Sequence, residues 1–358
     1  MKKVRFAVVG AGWISQEAFL PAVSQTGNAE VVAIVSGDAA KARRLADFHG
    51  IAAVHDYSAF DAMVARGEVD AIYVATPNSS HCDFAIRAAR HRVHALVEKP
   101  LAINVAQSEA MIAAARDAGV YLMTAYRLHN DPATLKVVEL LASGTIGDPR
   151  QFSATLSFML PENNHRLKAE HWGGPLQDVG VYCVNAARHV FGQNPHRVSA
   201  TSSFGHAGSR YSEVEEGLTA TLEFDGGRLA QFYCGFGTDA MDYCQVLGTQ
   251  GSIALLNAFR FGMARRLVIQ RADVQEVIDF EETDNFSGMI AYFADCILTR
   301  TPPRPDGNEG LADMRTLLAI EAASAAGTRQ DVPATPGFAS YHAGMVRTFP
   351  PAKHKLLI

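Results

Sequence analysis

A β-branched run at residues 4–9 stops abruptly in Gly10-Ala11-Gly12, and an apolar-periodic stretch follows from 14 to 25. The same succession then repeats. Strand-like runs at 30–35, 69–75, 94–97 and 120–125 alternate with helical patterns at 39–48, 58–66, 81–90 and 105–118, several of them closed by glycine. Hairpins need only a short turn, whereas two parallel strands must be joined by a crossover of a dozen or more residues. Units of ~25–30 residues therefore predict parallel strands joined by right-handed helical crossovers, which is a doubly wound α/β sheet. Ligands of such sheets bind beyond the carboxyl ends of the strands, so the residues just after each run carry the functional information.

From about Asp131 the alternation stops. After a helix reaching Ser143, longer runs appear at 150–158, 197–204, 217–224, 228–236, 243–247 and 267–269, several separated by turns such as Asp225-Gly226-Gly227 and Gly248-Thr249-Gln250-Gly251. Two late helical segments, 288–300 and 309–326, flank a proline-rich connection. The 358 residues thus divide into a doubly wound domain over 1–125 and an α+β domain over 126–358 built on a large, mainly antiparallel sheet.

Lys and Arg total 32 against 37 Asp and Glu, a net charge of -5, which is not basic enough for nucleic acid as the main partner. Cys82, Cys183, Cys234, Cys244 and Cys296 lie far apart, with no CxxC pair and no histidine at ligand spacing. They read as reduced thiols of a cytoplasmic protein with no metal. Lys2, Lys3 and Arg5 precede an apolar stretch too short for a signal peptide, and no stretch approaches the ~20 residues of a membrane span.

In Gly10-Ala11-Gly12-Trp13-Ile14-Ser15 the glycines permit a tight turn and let a pyrophosphate approach the next helix's free N–H groups. Ser15 stands where the dinucleotide fingerprint has its third glycine. After the second run comes Ser36-Gly37-Asp38, with Lys41, Arg43 and Arg44 on the next helix. NAD sites usually place an acid first at this point, to hold the ribose 2′-hydroxyl. A serine with a nearby cation suits a 2′-phosphate instead, which favours NADP and leaves NAD as the alternative. Thr76-Pro77-Asn78 with His81 follows the third run, positioned to pass near the ribose or nicotinamide. Glu98-Lys99-Pro100 follows the fourth, where the Lys99 cation would lie beside the nicotinamide. Arg127 and His129 follow the fifth.

The segment 172–191 is polar in an unusual place. At ~100° per residue, Asp178, Tyr182, Asn185 and His189 fall within about 60° of one another, and most of the remaining circumference is apolar. A narrow polar stripe on an apolar helix predicts a buried helix with one face lining a cleft. Gly180 beside the stripe would admit a ligand or another backbone. The competing reading is that Asp178 and Tyr182 are satisfied buried polar groups holding two domains together.

With its GxGW turn, the Ala-Thr-Pro-Asn loop, Glu98-Lys99-Pro100 and Gly173-Gly174-Pro175-Leu176-Gln177-Asp178-Val179-Gly180-Val181-Tyr182, the chain resembles the Gfo/Idh/MocA oxidoreductases, most of all their glucose-fructose oxidoreductase branch. Many members carry a histidine where Tyr182 stands and an acid where Asn185 stands; the departure favours the branch in which tyrosine donates the proton. The resemblance implies a Rossmann domain followed by an open-faced sheet domain, with sheets pairing into homodimers or homotetramers. It implies Lys99 and Tyr182 as the catalytic pair, with Asp178 beside them, a sugar or polyol as substrate, and Ser36 and Lys41 on the 2′-phosphate of NADP. Gly10, Gly12, Trp13, Ile14, Thr76, Pro77, Asn78, His81, Glu98 and Lys99 complete the expected cofactor contacts. Arg127, His129, His165, Trp172, Asp178 and Tyr182 are the expected substrate contacts. A phenol of ordinary pKa near ~10 is a poor base at neutral pH until a cation lowers that value, and Lys99 is the available charge. Dihydrodiol dehydrogenases, which oxidise a cyclic diol, and non-catalytic dinucleotide-sensing regulators share the same motifs in part and are the alternatives.

Overall fold

The run Val-Arg-Phe-Ala-Val-Val has no polar alternation, and as strand β1 (Val4–Val9) it is buried throughout except at Arg5. The Arg5 guanidinium clasps the Asp70 carboxylate, with Nη2 2.8 Å from Oδ1. In the computed structural model, which describes residues 2–162 and 164–358, β1 lies at the centre of a parallel sheet. The other strands are β2 (Ala29–Val35), β3 (Ala53–His55), β4 (Ala71–Val74), β5 (His94–Val97) and β6 (Leu122–Thr124), in the order β3-β2-β1-β4-β5-β6. Strand order reverses direction at β1, so Gly10 emerges at the topological switch point where α/β sheets bind ligands. The crossovers are α1 (Leu20–Thr26), α2 (Ala39–His49), α3 (Phe60–Val64), α4 (His81–Arg90) and α5 (Val105–Ala118). Strand β3 is not evident in the sequence, because three half-buried residues at a sheet edge leave no periodicity to read.

The chain forms two compact units. The first takes the chain up to Asp131 together with Thr283–Gly310 and Gly344–Ile358, and the second takes Pro132–Glu282 and Leu311–Ala343. A division at 125/126 does not include the two later segments in the first unit. Helix α8 (Asn285–Thr299) is there because the parallel sheet must be covered on its faces. Its Phe286, Met289, Ile290 and Phe293 are buried, and the Phe293 ring lies 6.3 Å from that of Phe6 on β1. Asp284 caps the helix by accepting the Ser287 N–H at 2.9 Å.

The second unit holds a nine-stranded sheet. Strands β7 (Pro149–Ser157), β8 (Arg197–Ser203), β9 (Gly217–Phe224), β10 (Arg228–Gly235), β11 (Met241–Gly248), β12 (Ser252–Leu256), β13 (Arg265–Arg271), β14 (Val274–Phe280) and β15 (Gln330–Asp331) run in the order β14-β13-β12-β11-β7-β10-β9-β8-β15. The β7–β10 pair is parallel, and the other pairings in this sheet are antiparallel. Period-two alternation sorts its faces: Phe152, Ala154, Leu156, Phe232 and Cys234 are buried beneath α6 (Pro132–Ala142) and α7 (Val181–Phe191) or their flanking turns. The opposite face presents Leu229, Met241, Leu247 and Leu256, each more than 40% exposed. Helix α9 (Gly307–Ala326) spans the division between the two units. Among the described residues no helix is long and apolar enough to cross a membrane, and all five cysteines are unpaired, four of them buried.

Candidate active site

In the first unit the glycine turn is built against its neighbouring strand. Gly10 has a φ of 102°, and a Cβ there would lie 2.6 Å from the Ala75 carbonyl oxygen just after β4, so no other residue fits. Ser15, in place of a third glycine, turns inward and donates its hydroxyl to the Gly10 carbonyl at 2.6 Å. Gln16 donates its side-chain amide to the Ala11 carbonyl at 2.8 Å. The turn's oxygens are thus tied back into the protein. Gly12 and Trp13 are exposed and Ile14 half-buried at the start of the widened helical turn Ser15–Phe19. A Cβ on Gly12 would meet nothing closer than 3.9 Å. An exposed, unobstructed glycine at the opening of a helix, whose first N–H groups have no intrahelical acceptor, fits a pyrophosphate.

At the end of β2, Ser36 is nearly buried and its hydroxyl oxygen accepts the Asp38 N–H at 3.1 Å, so the O–H proton remains to be donated. Asp38 caps α2 by accepting the Lys41 N–H at 2.9 Å. The Lys41 ammonium stays 3.9 Å from that carboxylate and half-exposed, free to swing to a second anion.

His81 is completely buried, with Nδ1 3.0 Å from the Pro100 carbonyl and Nε2 3.0 Å from that of Thr76. Burial lowers its pKa although both carbonyls pull the other way. Its role is to fasten the Thr76-Pro77-Asn78 loop to the Lys99-Pro100 segment, a correction to the expectation that it faces the cofactor. Half-buried Glu98 accepts the Tyr73 hydroxyl at 2.6 Å and the Lys99 N–H at 3.3 Å. Burial raises its pKa, against the opposing charges of Lys99 and Arg127. Lys99 itself is half-buried. Arg127 and His129 are both buried, Arg127 with its guanidinium 5.9 Å over the Phe286 ring and His129 stacked 5.5 Å from Tyr126. The carboxyl end of the sheet thus gathers two cations, one acid and a phenol.

In the second unit the polar stripe splits into two. Asp178 lies in a widened turn, Leu176–Gly180, and is held by Arg166, Nε to Oδ2 3.1 Å. Tyr182 is half-buried, its ring 6.5 Å from that of Phe259. Asn185 and His189, by contrast, are covered. Asn185 donates to Asp313 at 2.9 Å and accepts from Tyr341 at 3.1 Å, while His189 stacks on Tyr341 at 3.8 Å. Beside them Arg188 and Asp313 form an ion pair of 2.6 Å, each about 1% exposed. The expectation that the whole stripe lines a cleft is therefore corrected: its second half is a structural network against α9 and the 338–341 segment. Gly180 is also reassigned, since a Cβ there would lie 3.0 Å from Cys234 Sγ on β10, and its service is to helix–sheet packing. His165 is exposed, and Trp172 is half-buried with its indole N–H donated to Glu321 at 2.9 Å. Glu321, Glu215 and Arg166 were not found from the sequence, because no local spacing marks partners so far apart along the chain.

Residues 4–126 match the family described as "Oxidoreductase family, NAD-binding Rossmann fold", and residues 134–254 match the GFO/IDH/MocA C-terminal domain. The D-xylose 1-dehydrogenase (NADP(+)) 2 of Haloferax volcanii is 33% identical over 88% of this chain and 95% of its own. The aldose-aldose oxidoreductase of Caulobacter crescentus, solved with glycerol, superposes with a TM-score of 0.88 at 29% identity, covering 92% of this chain and all of that one. A 3-ketoreductase from Actinomadura kijaniata, solved with NADP and TDP-benzene, gives a TM-score of 0.83 at 28% identity over 90% of this chain and 98% of its own.

Proposed function

The chain belongs to the GFO/IDH/MocA oxidoreductase family, and from that premise we propose that it is an NADP-dependent enzyme moving hydride between nicotinamide C4 and a carbon of an aldose, ketose or related polyol. The observation that carries the reading is near full-length similarity to enzymes named for NADP and for sugars. The exposed Gly12 turn receives the pyrophosphate, and the Ser36 hydroxyl with the Lys41 ammonium receives the 2′-phosphate. The bound nicotinamide supplies the hydride or accepts it.

The protein's own work is on the proton. Tyr182 takes a proton from the substrate hydroxyl, or returns it, and the Lys99 ammonium polarises the same oxygen and holds the charge that develops there. Asp178, fixed by Arg166, orients the lysine or a neighbouring sugar hydroxyl. His165 and Trp172 contact the sugar, whereas Arg127 and His129, expected from the sequence as substrate contacts, are buried and are not assigned to it. Five unpaired cysteines suit the cytoplasm. The apolar open face of the nine-stranded sheet is where a second copy would pair.

The test is spectrophotometric turnover with NADP and with NAD against a panel of aldoses, polyols and cyclic diols. NADP is expected to be favoured at least tenfold with an aldose or polyol, and Lys41→Glu to remove most of that preference without lowering the NAD rate. Equal rates with both cofactors would remove the argument from Ser36 and Lys41. Turnover confined to cyclic diols, or cofactor binding without turnover, would overturn the sugar assignment.

A further inference from the structure

Trp172 has a φ of 51° and a ψ of 52°, the left-handed region that a bulky side chain rarely occupies. Something must hold it there. Its indole N–H donates to Oε1 of Glu321 on α9 at 2.9 Å, and the same oxygen accepts the Gln177 side-chain amide at 2.5 Å. A Cβ on the intervening Gly174 would lie 2.6 Å from Gln177 Oε1 and 2.9 Å from Glu215 Oε1, so only glycine lets the two side chains close over the loop. Glu215 also accepts the Leu176 N–H at 3.3 Å. One carboxylate thus grips both ends of a strained loop, and the next residue in the chain is Asp178.

We propose that Glu321 is a positioning residue for the reaction: by fixing the Trp172 indole and the Gln177 amide on one oxygen, it sets where Asp178 and, one turn later, Tyr182 meet the sugar. The proposal rests on the functional reading above. Both neighbours donate to one oxygen, so the charge of a carboxylate strengthens both bonds, and a neutral carboxylic acid or amide, which keeps an acceptor there, holds them more weakly. Burial pushes the Glu321 carboxyl up to about 7, the negative charge of Glu215 adds to this, and the two hydrogen bonds oppose it. Glu215, likewise raised by burial, is the charged group that faces it. Arg166 and Asp178 pair with each other, and Lys168 with Glu213. His165 and His171, on the turns leading into the loop with their rings 6.4 Å apart, are the neighbouring imidazoles to be controlled for.

The chain has only two tryptophans, so Trp13→Phe leaves Trp172 as the sole indole reporter. In that background the emission of Trp172 is expected to change with a midpoint near pH 7. The change is expected to vanish with Glu321→Gln and to survive His165→Asn and His171→Asn. With Trp13 restored, Glu321→Gln and Glu321→Ala should raise KM for the sugar tenfold or more and remove the neutral inflection from the pH profile of kcat/KM. NADP affinity should stay within twofold. Persistence of the emission change in Glu321→Gln, or an unaltered KM and pH profile, would overturn the proposal. If no sugar is turned over at all, the functional reading fails and the positioning role with it, while the emission titration still decides whether Glu321 holds Trp172. If Glu321→Ala does not fold, Glu321→Gln keeps the shape and an acceptor oxygen.

Discussion

Replacing the Tyr182 hydroxyl by hydrogen removes the proposed proton donor while keeping the ring against Phe259. A positioned acid or base supplies ~10²–10⁴-fold in rate, so Tyr182→Phe should lose about that much in kcat with an unchanged melting temperature. Wild-type turnover would reassign the proton donor. Asp313 presents the opposite case, a residue whose loss is felt by the fold. It pairs with Arg188 where neither side chain meets water, and Asp313→Ala takes a carboxylate away from a buried guanidinium. Such a loss costs about 3–5 kcal/mol, which denaturant unfolding would register as a large drop in midpoint. A change below ~1 kcal/mol would show that water reaches the site. The sequence placed Asp178 and Tyr182 on one helix face with Asn185 and His189, but helical spacing could not say which of the four would be covered. Asp313 and Tyr341, more than a hundred residues away, decide that.

Boundaries were most legible where a capping residue or a turn ends the element. Strand β5 and helices α4 and α5 have the limits their patterns suggest, with Asn104 accepting the Gln107 N–H at 2.8 Å to open α5. Strands β3, β14 and β15 were not legible, because edge strands need no apolar period; β14 is largely exposed along its length. The glycine turn is the element on which the proposed cofactor binding depends. Gly10→Ala puts a Cβ into the Ala75 carbonyl oxygen and forces an alanine to a φ of 102°. Backbone must move, so a stability loss of about 1–3 kcal/mol and at least a tenfold weaker NADP affinity by titration calorimetry are expected. Unchanged affinity would mean that the turn does not carry the pyrophosphate.

Across the whole molecule, the open sheet face carries the argument for self-association. Gln151 on β7 pairs with Leu229 on one side and Leu247 on the other, which lines the three up across adjacent strands on the open face. Leu229→Glu combined with Leu247→Glu should convert a dimer or tetramer to monomer in light scattering, with the fold retained because both side chains are exposed. A monomeric wild-type protein would remove that proposal. The sequence by itself determined the alternation of the parallel sheet, the glycine turn at its switch point and the second sheet, because periodicity and short motifs are properties of neighbours along the chain. Only the tertiary structure decided that α8 completes the first unit, that His81 fastens two loops, that half of a polar stripe is walled in, and that Glu321 holds a left-handed tryptophan. Those outcomes depend on burial and on partners distant in sequence, and the free energy of a buried polar group is set by whichever group folding brings to it.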